Sequence, residues 1–298
     1  MFKDLEIPVP SFRRTLEAYF EMAKPRITAL LAVVAVCAFV VAGGFSSKGS
    51  GWQGFLNTLL SVGLLSAGIF ILNHWIERDR DALMVRTKGR PLPSGLVSSN
   101  PALILGLIFS GAGIAYSTWS VNWQMGLVAL LTAVGYLLVY TPLKYKTPFH
   151  TALGAVPGAT PPLAGWLAAT GHLDVNALIL FLILFLWQFP HFLSIEMIYK
   201  DDYAKAQVQV IPVLDPSGKW TAFPVCTASI ALLLVSLAPL ATGLAGLVYG
   251  VGASFLGLGF LGLGLRAVVT KKKKHARDLL RASVLYLPLL LLLLVFHF

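Results

Sequence analysis

Charge is scarce in this chain. Asp, Glu, Lys and Arg make up 12% of its 298 residues, against about 25% in an ordinary soluble domain. That shortage excludes the pair of soluble domains that the length would otherwise allow. Acid is scarcest, with 13 Asp and Glu against 23 Lys and Arg and a net charge of +10. The basic residues fall between apolar runs and form no basic domain, so no nucleic-acid role is expected. Only two cysteines occur, Cys37 and Cys226, each inside an apolar run. They read as small buried hydrophobes, which excludes a disulfide framework and a zinc site. The first 24 residues hold Asp4, Glu6, Glu17 and Glu21 and no apolar core. Neither a transit peptide, which is poor in acids, nor a secretory signal is therefore expected. No internal repeat is visible, which disfavours a transporter built from repeats.

What is present is hydrocarbon: 57% of the residues are hydrophobic and the mean hydropathy is +0.77. Apolar runs of about 20 residues predict an all-α polytopic membrane protein. Nine spans are expected, at about 27–44, 54–76, 101–119, 124–142, 151–169, 175–198, 221–243, 246–265 and 280–297. With the N-terminus inside, the inner loops carry 22 of the 23 Lys and Arg, leaving Lys48 outside. The expected orientation is therefore N-terminus cytoplasmic and C-terminus on the outer side. Residues 1–24 are expected to be a cytoplasmic lead, with an interfacial helix over 11–24 whose apolar side carries Phe12, Leu16, Tyr19 and Phe20. Residues 25–298 are expected to form one transmembrane domain. Lys271 to Lys274 read as topogenic or as contacts to anionic lipid.

The polar exception is residues 73–95. Asn73, Glu77 and Asp81 recur every fourth residue at the end of an apolar run. On a helix they share one face, drifting about 40° and rising about 6 Å per step. A row of oxygen ligands suits a hard cation such as Mg²⁺, which takes few protein carboxylates and shares its shell with phosphate. Arg86, Lys88 and Arg90 follow as counter-charges for a diphosphate. Basic residues in such a loop often do no more than fix orientation. Acids contribute little to orientation, and charge near hydrocarbon usually marks function.

A second polar cluster closes the sixth span, Trp187-Gln188-Phe189-Pro190-His191, followed by Asp201-Asp202-Tyr203. On one ideal helix His191 and Asp202 return to nearly the same face, about 16 Å apart. An intramembrane His is a functional candidate, set against a neutral imidazole bonded between helices. Glu196 lies about 140° around from His191 and its partner is not readable. Lys144 and Lys146, beyond Tyr140-Thr141-Pro142, stand where they could close on a diphosphate. The glycines that follow, Gly154, Gly158 and Gly165, read as small-residue packing sites.

Asn73, Glu77 and Asp81 followed by Arg86-Thr87-Lys88-Gly89-Arg90-Pro91-Leu92-Pro93-Ser94-Gly95 resemble the first signature of the intramembrane UbiA-type prenyltransferases. Tyr140-Thr141-Pro142-Leu143-Lys144, Gly154-Ala155-Val156-Pro157-Gly158-Ala159 with Pro161-Pro162, Trp187-Gln188-Phe189-Pro190-His191-Phe192 and Asp202-Tyr203 with Ile211-Pro212-Val213 resemble, more narrowly, its protoheme IX farnesyltransferase branch. The resemblance runs from about residue 22 to the last span. It implies nine helices around a central cavity open to the cytoplasmic side of a bacterial inner membrane. It implies transfer of farnesyl from farnesyl diphosphate to a vinyl group of haem B, with addition of water. The products would be haem O and diphosphate, and haem A synthase or oxidase assembly would lie downstream. Asn73, Glu77 and Asp81 match the first metal motif and Asp202, with Asp201, the second; with His191 they form the implied catalytic set. Arg86, Arg90, Lys88 and Lys144 would hold the diphosphate. His191, and after it His74, would serve the haem. Three departures stand out. The second motif lacks the repeated Asp triplet of the wider superfamily, His150 stands where Asn is expected, and Glu196 stands where a small residue is expected. The rival readings are a UbiA-type enzyme for an aromatic acid, quinone precursor or chlorophyll-type acceptor, and a transporter.

Overall fold

The computed structural model describes residues 11–215 and 217–296. Residues 1–10, with Asp4 and Glu6, and residues 297–298 at the end of the last predicted span lie outside them. The described residues form thirteen helices and no strand. In chain order they are α1 (Phe12–Met22), α2 (Pro25–Val41), α3 (Gly51–Asp81), α4 (Ser99–Ser120) and α5 (Trp123–Leu143). There follow α6 (His150–Gly158), α7 (Pro161–Thr170), α8 (Val175–Ile198), α9 (Lys200–Lys205) and α10 (Ile211–Leu214). The last three are α11 (Lys219–Ala241), α12 (Leu247–Thr270) and α13 (Lys273–Val295).

Seven of these, α3, α4, α5, α8, α11, α12 and α13, are long and apolar enough to cross a membrane. Helices α1 and α2, bent by 43° at their junction, make an eighth if taken as one span. Among the described residues, seven of the nine predicted spans meet that measure, or eight with α1 and α2 taken together. Predicted span 151–169 is two helices, α6 and α7, of nine and ten residues. Pro161 and Pro162 lack the amide hydrogens that would carry the ladder across the break. There the Thr160 hydroxyl donates to the Pro157 carbonyl at 2.9 Å, and Thr132 donates to Thr160 at 2.8 Å. Predicted span 27–44 is the 17-residue α2.

Ala18 and Met22 of α1 pack under Ile71, Leu92, Val97 and Ala102. Phe12, Leu16 and Phe20 are exposed and Tyr19 is half-buried. Lys24 adopts a left-handed φ of 47°, which turns the chain, and Pro25 opens α2.

The helices pack through small residues, as spans do where lipid gives no hydrophobic drive between them. A Cβ on Gly68 would run into the Ser110 amide nitrogen of α4, and one on Gly165 into the Ala35 carbonyl oxygen of α2. The largest core gathers α8, α11, α12 and α13 around Leu193, Leu232, Tyr249, Phe260 and Leu279. The basic connections share one end of the bundle. Gln209 N donates to the Lys144 carbonyl at 3.0 Å, and Lys273 pairs with Asp201 at 3.0 Å.

Candidate active site

At that end lies a polar cavity of about 450 Å³. Its floor is α3, which runs without a break from Gly51 to Asp81. The fourfold spacing of the sequence therefore becomes a buried row, with Asn73, Glu77 and Asp81 at 3%, 4% and 1% exposure. All three line the cavity.

Each member of the row is held by a cation from another part of the chain. Lys24 Nζ donates to Asn73 Oδ1 at 3.2 Å. Lys144 Nζ meets Glu77 Oε1 at 2.7 Å, and Arg90 Nη1 meets Asp81 Oδ2 at 2.6 Å. Asp81 Oδ1 is buried with no partner. An unpaired buried carboxylate oxygen is costly, and its placement fits a cation that takes few protein ligands. Among the described residues no three His, Cys, Asp or Glu side chains gather as a metal cluster. The donor set is thus two carboxylates and one amide, which suits an ion completed by phosphate oxygens.

Lys144 lies just beyond the end of α5. Burial alone would lower its pKa, but the Glu77 carboxylate and the Tyr140 and Tyr145 hydroxyls hold it well above the usual lysine value. Arg86 reaches the cavity beneath Tyr199 and Tyr203, its guanidinium 5.4 and 6.0 Å from their ring centres.

The other predicted residues divide. His74 is buried, lines the polar cavity and has an unpartnered Nδ1. Lys88 is exposed and off the cavity wall. Asp202 is half-buried and does not line the wall, where its neighbour Tyr203 stands. The expectation assumed one helix from His191 to Asp202. Instead α8 ends at Ile198, and Tyr199, at φ −104° and ψ 22°, resets the helical phase before α9. Asp201 is exposed, and the Lys273 ammonium that bonds it lowers its pKa.

A second, apolar cavity of about 410 Å³ adjoins the first. Lys24, Ile27, Tyr136, Tyr140 and Phe192 line both. On α3 its lining runs from Phe70 back to Ser61, so together with the row down to Asp81 the two hollows follow about 30 Å of helix axis. Tyr136 and Tyr140 stand at the junction because the end of α5 widens into a π-helical turn, Gly135–Tyr140. Pro142 has no amide hydrogen and crowds the carbonyl four residues back. The Thr141 amide and hydroxyl both turn to the Tyr136 carbonyl instead.

His191 lines the apolar cavity, stacked on Trp187 with ring centres 4.5 Å apart. The Ser283 hydroxyl donates to the Leu280 carbonyl at 2.7 Å. It therefore accepts from His191 Nδ1, also at 2.7 Å, which leaves the lone pair on Nε2. The glycines read as packing sites are packing sites, Gly154 beneath the Tyr140 ring and Gly158 beside Gln188.

Sequence reasoning missed Lys24 and the pair Thr151–Glu196. Lys24 had a signal, a cation directly before the proline that opens a span. Thr151 had none, since its hydroxyl becomes informative only once α6 meets α8.

A family model described as the UbiA prenyltransferase family matches residues 29–292. A protoheme IX farnesyltransferase of Solibacter usitatus is 42% identical over 281 residues, covering 91% of this chain and 95% of that protein. One of Koribacter versatilis is 40% identical over 294 residues, covering 96% and 94%. Among solved structures, one concerning digeranylgeranylglyceryl phosphate synthase superposes with a TM-score of 0.78 at 17% identity, covering 95% of this chain and 98% of that one. A UbiA homolog from Archaeoglobus fulgidus bound to DMAPP and Mg²⁺ gives 0.61 at 15%, covering 93% and 98%. At such identities the structural likeness bears on the fold alone.

Proposed function

The chain belongs to the UbiA prenyltransferase family, and on that premise we propose that it joins the farnesyl group of farnesyl diphosphate to a vinyl group of haem B, with addition of water. The products are haem O and diphosphate, which fits the activity named for its 42% and 40% identical relatives. The observation that carries the reading is the union of a charged cavity with an apolar one at Lys24, Tyr136, Tyr140 and Phe192. A diphosphate with a long hydrocarbon tail has those two ends.

Asn73, Glu77 and Asp81 would hold Mg²⁺, as the free Asp81 Oδ1 favours. Bound there, the ion supplies positive charge to the diphosphate oxygens. Arg86, Arg90, Lys144 and Lys24 face the same space and stabilise the charge that gathers on the leaving group as the allylic C–O bond opens. Arg90 and Lys144 already neutralise the carboxylates, so they are held in place before substrate enters. The farnesyl tail lies along Val62, Leu65, Ile69 and Leu184, where little water can reach the allylic cation. His191 offers Nε2 to the haem iron. His74, on the charged side, is the weaker candidate. Asp202 and Lys88 take no part in this arrangement.

The gathering of the basic loops at one end favours that end facing the cytoplasm of a bacterial inner membrane. This puts the N-terminus inside and the C-terminus outside, with haem A synthase or oxidase assembly as the consumer of the product. Incubation of the purified protein with haem B, farnesyl diphosphate and Mg²⁺, followed by mass spectrometry of the extracted haem, tests the assignment. Farnesylated haem with one added water is the expected product. Unaltered haem, alongside transfer to a quinone precursor, would overturn the assignment.

A further inference from the structure

We propose that Ser61 and Met125 form the closed end of the apolar cavity and set the length of the prenyl tail at three isoprene units. The inference rests on the reading above and adds the residues that choose farnesyl over its shorter and longer relatives.

The start of the tail is fixed where the two cavities join. Lys24 Nζ donates to Asn73 Oδ1 at 3.2 Å and stands 4.8 Å from the centre of the Phe70 ring. The Tyr136 ring packs edge-on against Phe70, with centres 6.1 Å apart. A diphosphate held on the polar side therefore leaves its first carbon level with Phe70. From there the lining on α3 passes Ile69, Ser66, Leu65 and Val62 and stops at Ser61. From Phe70 to Ser61 the helix rises about 13.5 Å. Farnesyl has eleven bonds along its main chain, and at about 1.2 Å of advance per bond it extends over about 13 Å. Geranyl, four bonds shorter, extends over about 8 Å, and geranylgeranyl, four bonds longer, over about 18 Å.

Past Ser61 the wall is shut. Ser61 and Met125 are 1% and 2% exposed. Met125, in the first turn of α5, clusters with Ala35 of α2, Val62 of α3 and Leu167 of α7. One turn beyond Ser61, buried Asn57 donates to the Ser120 carbonyl at 2.7 Å. It accepts from the Tyr116 hydroxyl and the Gln53 amide, each at 3.0 Å. This buried network ties the start of α3 to the end of α4, and a tail that grew past Ser61 would have to break it. Ser61 is small and its hydroxyl has no partner, so replacing it breaks no bond in the wall.

The fit selects in both directions. A geranyl tail leaves the last turns of the cavity unfilled and forgoes the burial of five carbons. A geranylgeranyl tail meets Met125 before its diphosphate reaches the cations. The competing route is sideways, past Ile27 and Val284, which line the cavity and are also exposed. A tail that left there would meet lipid and no stop.

The test offers geranyl, farnesyl and geranylgeranyl diphosphates in equal amounts, with haem B and Mg²⁺, to the full-length protein and reads the mass of the prenylated haem. Wild type is expected to favour farnesyl over either neighbour by about tenfold or more. Ser61→Leu puts three carbons where one oxygen stood and should raise the geranyl-to-farnesyl ratio about tenfold. Met125→Ala removes three heavy atoms from the stop and should raise the geranylgeranyl-to-farnesyl ratio about tenfold. Loss of folded protein lowers all products together, so opposite shifts in the two ratios do not come from destabilisation. Ser61→Val and Met125→Val replace the first pair if either fails to fold. An unchanged ratio in either variant, or wild type that takes geranylgeranyl as readily as farnesyl, overturns the stop. Wild-type protein that transfers none of the three to haem sinks the proposed function instead, so the two failures are distinct.

Discussion

Asp81→Asn is the sharpest perturbation of the charged cavity. The side chain is 1% exposed, with Oδ2 2.6 Å from Arg90 and Oδ1 unpartnered. At an effective dielectric near 20 the Asp81–Arg90 pair has a gross attraction of about 6 kcal/mol, most of it offset by desolvation. Arg90 retains 22% exposure towards the cavity, so water can replace part of the lost partner. The stability cost should then stay near ~1–2 kcal/mol, below the ~3–5 kcal/mol of a sealed pair. The catalytic cost is larger. The variant loses one of two carboxylates in the metal set and a group that fixes Arg90. Removing one preorganised contact to developing charge typically costs about 10²–10³ in kcat, or ~3–4 kcal/mol. The assay is farnesyl haem formation by purified protein over a Mg²⁺ titration, with thermal unfolding in parallel. The expected result is kcat down by at least about 10²-fold, a raised half-saturating Mg²⁺ concentration and a folded protein. Asp202→Asn, off the cavity wall, should stay within about twofold of wild type, as surface changes usually do. Wild-type turnover in Asp81→Asn, or an equal loss in Asp202→Asn, would refute the metal assignment and the exclusion of Asp202.

The remaining predictions concern other walls of the site. Because Lys144 has a raised pKa, its stabilising charge is fully present below the unfolded lysine value of about 10.4 and is lost only as pH rises through the higher folded value. The apparent affinity for farnesyl diphosphate should therefore show no Lys144 titration between about pH 7 and 10. A midpoint near pH 8 that moves in Lys144→Arg would contradict this. His191→Ala should weaken haem binding by about tenfold or more and shift the haem absorption band, with Ser283→Ala doing so less. A spectral titration with an unchanged band would remove His191 as the iron ligand. Gly165→Leu forces carbon into the Ala35 carbonyl and should lower the unfolding temperature or abolish the folded monomer, as overpacking does.

Much of this protein is local, and local features are legible in a sequence. The seven long spans follow from apolar runs that must satisfy their own backbone in lipid. Their predicted bounds agree with α4, α5 and α8 to within two residues. The row Asn73, Glu77 and Asp81 was legible because α3 is continuous, so a spacing of four becomes a shared face. The same reasoning failed for His191 and Asp202 because one non-helical residue, Tyr199, resets the phase and rotates everything after it. Predicted span 151–169 likewise broke into two where adjacent prolines end the backbone ladder. The cations that hold the row, Lys24, Arg90 and Lys144, come from three separate segments. The Thr151–Glu196 bond likewise joins two helices, α6 and α8. Composition and period are properties of neighbours along the chain, and they determined the apolar spans, the helices and the buried polar row. Which side chains meet across a cavity depends on how helices pack, through contacts such as Gly165 against Ala35, and that only the tertiary structure decided.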